Sequence, residues 1–461
     1  MNVLWTSDEI AQATGGIASD AFEITGVTFD SREVQPGDLF VAMPGTVHNG
    51  HRFVEQALAS GAAGAIVSQA VGGPHVLVAD TAAALEALGR ASRERSRATI
   101  IGVTGSVGKT STKEALYAAL DRCHPGEVHR SVKSYNNHTG VPLSLARMPR
   151  DATFAVLEMG MSNAGEIAAL TRQVRPHLAL ITAIAPAHIE SLGSEEAIAD
   201  AKAEIFEGLE PDGVALIPND SAHRDRLVKA ARRHADRIVT FGSGDADVHA
   251  VHAVSAAGGG SLISAALLER ELTFTISQRG EHWVSNALAV LAAVEAAGSD
   301  VAVASLALAD MGGLKGRGER HTVEIDGGEV LLIDESYNAN PASMAATLKS
   351  LGEERDVGRR IAVLGPMREL GEHSDQLHAA LAPAVLDAGV DRLILIGAEM
   401  QTLAEQLVGK VNLDLVDDVD QATDALLKAL RPGDAVLVKA SNAVGLAQLV
   451  ERVAGGQLCS T

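Results

Sequence analysis

The sequence predicts an α/β protein built as three domains, and three observations carry that reading. Short, wholly apolar runs recur along the chain, of the kind that fill strands buried on both faces. Helical patterns separate most of them, which favours parallel sheets with helices on their faces. At 461 residues the chain is also too long for one ordinary core.

The elements follow in chain order. Gly26-Val-Thr-Phe-Asp-Ser-Arg32 leads through the turn Pro36-Gly37-Asp38 to a strand at 39–42. Phe53, Val54, Ala57 and Leu58 then share one helical face, and Gly61 stands where that helix would stop. The run 91–97, Ala-Ser-Arg-Glu-Arg-Ser-Arg, reads as an exposed helix end or a linker. It closes a small mixed α/β domain at 1–97. From Thr99, strand candidates at 100–103, 154–157, 178–181 and 214–217 alternate with helices, giving a central parallel-sheet domain at 98–315. The glycine-rich stretch Gly312-Gly-Leu-Lys-Gly-Arg-Gly318 breaks that rhythm. Strand candidates at 330–333, 361–364, 393–396 and 435–438 restart it in a third domain, 316–461. This last domain reads as dinucleotide-fold-like (Rossmann-like), although no glycine fingerprint opens it.

Bulk composition narrows the function. With 46% hydrophobic and 21% charged residues the chain is globular rather than disordered. Cys123 and Cys459, the two cysteines, are too few for a disulfide framework or a zinc cluster. A formal charge of −21 argues against nucleic acid or an anionic membrane as the main partner. No apolar run approaches the length that crosses a bilayer, so no membrane insertion is expected. The opening residues lack the basic end and apolar stretch of a secretory signal, so a cytoplasmic location is expected.

The strongest local signal is Gly102-Val-Thr-Gly-Ser-Val-Gly-Lys-Thr-Ser111, between a strand candidate and a helix candidate. Glycines let successive backbone N–H groups turn toward phosphate oxygens, and the helix N-terminus adds unpaired donors. Thr104, Gly105, Ser106, Val107, Gly108, Lys109, Thr110 and Ser111 are therefore the candidate nucleotide-phosphate residues. Lys109 would sit on the β- and γ-phosphates, and the Thr110 hydroxyl would ligate Mg²⁺. Only Ser106 and Val107 separate Gly105 from Gly108, where the general P-loop has four residues in that gap.

With that shortened loop the chain resembles the Mur ligases, from Asp30-Ser-Arg32 to Lys439-Ala-Ser441. In that family the Thr-Gly-Ser-Val-Gly-Lys-Thr form is usual. The resemblance implies a central P-loop mononucleotide-binding domain and ATP-dependent joining of a carboxylate to an amine. Leu157-Glu-Met-Gly-Met-Ser-Asn-Ala-Gly-Glu166 is similar to the family's second metal motif, so Glu158 would hold Mg²⁺ with Thr110. By itself Glu158 reads more readily as a turn or capping carboxylate. The family implies that His188, in Ala187-His-Ile-Glu190, ligates a second Mg²⁺. It also implies that Lys202 carries a carbamate whose oxygens coordinate metal. A helix lysine among alanines and glutamates is ordinarily solvated. The implied catalytic set is thus Lys109, Glu158, His188 and Lys202.

Gly280-Glu-His-Trp-Val-Ser-Asn-Ala-Leu288 resembles the adenine-side motif, in which Asn286 would pair donor and acceptor with the base. Arg317 matches the arginine that reaches the nucleotide from the hinge, and Asp334 would accept from ribose hydroxyls. Asp334-Glu-Ser-Tyr-Asn-Ala-Asn-Pro341 resembles most the members that add D-alanyl-D-alanine. Tyr337, Asn338 and Asn340 would meet that dipeptide. Ser31 and Arg32 are the candidates for the UDP end of a UDP-N-acetylmuramoyl-tripeptide precursor. Asn49 fills a position where the family usually has Asp, and Pro366 fills another. Lys439-Ala-Ser-Asn442 lacks the family's usual glycine and arginine. A monomer using ATP, Mg²⁺ and these two small substrates is the expectation. The rivals are a sister ligase with another amine, and a nucleotide-dependent switch that keeps Lys109 and Thr110 without ligation.

Overall fold

A computed structural model describes residues 3–45, 49–187, 189–256, 259–268 and 270–455. Three principal sheets follow one another along the chain. The first is five-stranded, in the spatial order Ile17–Ala18, His75–Leu77, Gly64–Val67, Asp38–Val41, Gly26–Thr28. Its strands are short, and Gly61 (φ 103°) ends the Val54–Ala59 helix where the sequence places the stop.

The central sheet has nine strands, and Thr99–Thr104 lies between Leu178–Ile181 and Phe154–Glu158. Alternate residues of these strands enter opposite cores. Ile101, Val103 and Val156 face one apolar layer, and Ile100, Ala155 and Leu157 face the other. That double burial is why the runs are continuously apolar in sequence. Parallel pairing extends from Val128–Arg130 at one edge to Val248–Ser255. The two strands beyond it, Ser261–Ala266 and Glu271–Ile276, are antiparallel, a ribbon that the sequence reading did not identify. The first layer is filled mainly by Glu281–Ala296, which is buried without a break from Ala287 to Val294.

The third sheet is six-stranded, ordered Glu319–Ile325, Gly328–Glu335, Ala435–Lys439, Arg360–Leu364, Arg392–Ile396, Asn412–Val416. Its four strand candidates all fall within observed strands. Ala362 and Leu364 enter one core while Ile361 and Val363 enter the other.

The stretch 91–97 corrects the reading of an exposed end. The helix Thr81–Arg95, capped by the Asp80 carboxylate, buries Ser92 and Arg93 in its last turn. Arg93 Nε donates to the Val174 carbonyl at 2.8 Å and Nη2 to that of Arg175 at 2.7 Å. Nη2 also pairs with Glu210 at 3.2 Å. Arg95 lies 3.4 Å over the Trp5 ring. Arg93, an arginine that looks solvated in sequence, thus fastens the N-terminal helix to the central domain, while Arg95 packs within the N-terminal domain. Arg93→Ala is expected to lower unfolding stability by about 1–3 kcal/mol, because it strands acceptors in a buried contact. Chemical denaturation of the full chain checks this, and an unchanged midpoint would refute it.

Candidate active site

The central strand Thr99–Thr104 ends at Gly105 (φ 152°), where a Cβ would lie 1.9 Å from Thr182 Oγ1. Glycine is therefore required there for packing as well as for conformation. Gly108 (φ 83°) caps the helix Lys109–Cys123. The turn between them is tied to the strand Leu178–Ile181 and the residues after it. Ser106 Oγ donates to the Ala185 carbonyl at 2.9 Å, and Thr182 Oγ1 donates to that of Val107 at 2.5 Å. Lys109 curls back so that Nζ donates to the Gly105 carbonyl at 2.7 Å. Burial pulls its pKa below the usual lysine range, opposed by the Glu158 charge.

Thr110 and Glu158 meet directly. Thr110 Oγ1 donates to Glu158 Oε2 at 3.0 Å, and Asn136 Nδ2 donates to Oε1 at 2.7 Å. Thr110 also bonds Ser134 Oγ at 3.2 Å. Glu158 is only 1% exposed, yet it lines a cavity of about 620 Å³. The parallel register sets Glu158 beside Val103, so the strand end presents its carboxylate to the phosphate turn. These oxygens fit a hard divalent cation.

The same cavity collects side chains from separate domains. Ser106 to Ser111 form one wall, with Asn286 beside them. A Cβ placed on Gly108 would lie 3.1 Å from Asn286 Oδ1. Arg317, Tyr337, Asn338 and Asn340 add lining from the C-terminal domain. Arg317 stacks 4.2 Å from the Tyr337 ring. Asn340 also caps the helix Pro341–Gly352 through its side-chain oxygen.

Other predicted residues sit outside the cavity lining. Thr104 is fully buried beneath the turn. Asp334 is 2% exposed and turns both carboxylate oxygens to backbone, accepting from Gly316 N at 2.9 Å and Ser336 N at 3.0 Å. It therefore fixes the turn that carries Arg317. Arg32 lies on the N-terminal domain, paired with Asp30 at 2.6 Å, and that pairing holds the Asp30 carboxyl at about 2. Ser31, its neighbour, is half-buried. His188 lies outside the described residues.

Lys202 departs from the ordinary surface lysine. It is 1% exposed, and burial, helped by the Lys109 charge, drives its pKa well below the usual value. No carboxylate among the described residues pairs with it. The sequence reading also missed Lys439, whose Nζ contacts Glu335 at 3.3 Å and the Asn338 carbonyl at 3.0 Å. Ser134 and Asn136 were missed as well. Their signal was the run Ser134-Tyr-Asn-Asn-His-Thr-Gly140, a polar loop leading into a helix directly after the phosphate-turn helix and one short strand.

Residues 23–113 match the Mur ligase family catalytic domain, 103–294 the Mur ligase middle domain, and 316–442 the Mur ligase glutamate ligase domain. A Synechocystis UDP-N-acetylmuramoyl-tripeptide–D-alanyl-D-alanine ligase is 35% identical, over 94% of this chain and 93% of its own length. The Bacillus subtilis ligase of the same name is 34% identical, with 95% of each chain covered. The crystal structure of MurF from Acinetobacter baumannii superposes with a TM-score of 0.84 at 29% identity, covering 98% of this chain and 99% of that one. The Thermotoga maritima MurF ligase, solved in complex with ADP, gives 0.76 at 28% identity, over 94% and 97%. With matches through all three sheets and near-complete relatives above 30% identity, the chain belongs to the Mur ligase family.

Proposed function

We infer that this chain ligates D-alanyl-D-alanine to UDP-N-acetylmuramoyl-tripeptide at the expense of ATP. The products are UDP-N-acetylmuramoyl-pentapeptide, ADP and phosphate, in peptidoglycan precursor synthesis. One observation carries the reading: a single cavity joins the phosphate turn to Tyr337, Asn338 and Asn340 of a different domain. The names of the near-full-length relatives support the choice of substrates.

A free carboxylate does not condense with an amine until it carries a leaving group. In this reading the tripeptide carboxylate attacks the γ-phosphorus of ATP, forming an acyl phosphate and releasing ADP. The dipeptide amine then attacks the acyl carbon, and inorganic phosphate leaves from the tetrahedral intermediate. Lys109 and the backbone N–H groups of the turn place the phosphates and oppose charge gathering on the transferred group. Mg²⁺ would be held by Thr110 and Glu158, with His188 and a carbamylated Lys202 at a second ion, and would supply further charge neutralisation. Arg317 reaches the nucleotide from the hinge while Asn286 faces its base. Tyr337, Asn338 and Asn340 orient the dipeptide.

We assign precursor binding to residues 1–97, nucleotide binding to 98–315 and dipeptide binding to 316–461. Ser31 and Arg32 would hold the UDP end. Arg32 is 83% exposed and uses Nε and Nη2 on Asp30, which leaves Nη1 for an anionic group. Walls from separate domains also allow closure that excludes water, which would otherwise hydrolyse the acyl phosphate. A location in the cytoplasm is part of this reading. Among the described residues no helix is long and apolar enough to cross a membrane.

Lys109→Ala is expected to reduce ligation by roughly 10²-fold or more while the melting curve stays close to wild type. Phosphate release with the tripeptide precursor, ATP, Mg²⁺ and D-alanyl-D-alanine measures it. Wild-type turnover would exclude Lys109 from the chemistry. If no phosphate appears with the wild-type chain, the substrate assignment fails.

Lys202→Ala is expected to lose activity and to regain part of it when a short carboxylate such as acetate or formate is added. The carboxylate would replace the carbamate oxygens. Full turnover without any additive would eliminate the carbamate.

A further inference from the structure

Lys113 is a second lysine on the phosphate-turn helix, and nothing in the reaction outlined above uses it. It lies three residues after Thr110, so both side chains leave the same helix face. Its side chain is completely buried. A buried ammonium persists only where hydrogen-bond acceptors and opposite charge surround it. Nζ donates to the carbonyl of Ser131, at 3.2 Å, and to that of Lys133. It pairs with Glu114 at 2.9 Å and stands 4.0 Å from Glu158.

The two carbonyls belong to one segment, residues 131–137, which runs like a strap across the end of the Glu158 strand. The strap is bonded to Glu158 and to Thr110, the residues assigned to the metal. Ser131 Oγ accepts from the Glu158 backbone N–H at 2.9 Å. Ser134 bonds Thr110, and Asn136 donates to Glu158. The other side of the strap meets the N-terminal domain, where Lys133 pairs with Glu33 and the Tyr135 ring lies 5.4 Å from that of Phe29.

We propose that Lys113 is a positioning residue: it clamps strap 131–137 so that Ser134 and Asn136 hold Thr110 and Glu158 ready for Mg²⁺. Apolar packing alone could fill the same space, but it could not hold two backbone carbonyls at fixed points. The proposal rests on the assignment of Thr110 and Glu158 to the metal, and it adds the device that keeps their geometry. Because the strap also touches the residue after the Asp30–Arg32 segment, the clamp links the precursor side of the molecule to the nucleotide side.

The test uses the full chain and three proteins: wild type, Lys113→Met and Glu158→Gln. ADP binding is followed by calorimetry over a Mg²⁺ series, and backbone amide exchange is followed over residues 131–137. In Lys113→Met the half-saturating Mg²⁺ is expected to rise roughly 10-fold or more, as when a ligand's supporting partner is removed. Strap amides should exchange faster, with the rest of the chain unchanged. An unaltered Mg²⁺ dependence in this variant, beside a weakened one in Glu158→Gln, overturns the role of Lys113 alone. If Glu158→Gln also keeps the wild-type Mg²⁺ dependence, the metal assignment itself is wrong. Should Lys113→Met fail to fold, the wild-type chain decides. Its strap amides must slow on addition of ADP with Mg²⁺, and strap exchange indifferent to the nucleotide rules the clamp out.

Discussion

A carboxylate shut away from water at the end of a strand constrains the centre of this molecule. Glu158 is 1% exposed, and an unanswered charge in that position would be several kcal/mol too costly to keep. Two separate pieces of chain answer it: the phosphate-turn helix, through Thr110 and through Lys113 at 4.0 Å, and the strap, through Asn136. Each piece must arrive at the right place for the other to be worth having. The central sheet ensures this, because parallel pairing aligns the Glu158 strand with the strand that runs into the turn. A divalent cation added to these oxygens would strengthen an arrangement that the apolar strands have already set.

The C-terminal domain uses the same logic at its own strand ends. Glu335 and Lys439 are direct neighbours across parallel strands, and their side chains pair there at 3.3 Å. Lys439 also holds the Asn338 carbonyl, which fixes the loop carrying Tyr337 to Asn340. Asp334, one residue earlier, gives its oxygens to the backbone of Gly316 and Ser336. Tyr337 to Asn340 thus stand on a loop whose place is set by buried charges at strand ends. Two sheets deliver their carboxyl ends to one cavity, the usual place for ligands in open α/β sheets.

Much of this was legible in the sequence, for identifiable reasons. Strands buried on both faces leave continuous apolar runs, so Ile100, Leu157, Ile181, Leu364 and Leu437 announced the sheets. The phosphate turn was legible because glycine spacing is dictated by backbone geometry, not by distant partners. The strand Val248–Ser255 was not, since after Val248 it passes from half-buried to exposed residues and has no continuous apolar run to mark it. Polar loops were equally silent. Nothing local tells Asn136, bonded to Glu158, from Asn137, which caps its own turn through Thr139 and Gly140. Long-range pairing also decided the arginines of 91–97. The partners of Arg93, Val174, Arg175 and Glu210, and the Trp5 ring beneath Arg95, lie far along the chain, so composition read the segment as solvated.

Lysines make the same point with chemical consequences. Lys113, Lys202 and Lys439 are all shut off from water, yet burial acts on each through different neighbours. Lys113 is bonded to two carbonyls and Glu114, and Lys439 to Glu335 and a carbonyl. Lys202 has no paired carboxylate among the described residues, and its neighbouring charge is the like charge of Lys109. Desolvation and repulsion therefore act together and favour the neutral amine. Only a neutral amine has the lone pair needed to attack carbon dioxide. The resulting carbamate would reverse the local charge and bring an anion to Lys109. Lys202, which pairs with no carboxylate among the described residues, thus has the environment that the proposed carbamate requires, while Lys113 and Lys439 are bonded to loop carbonyls.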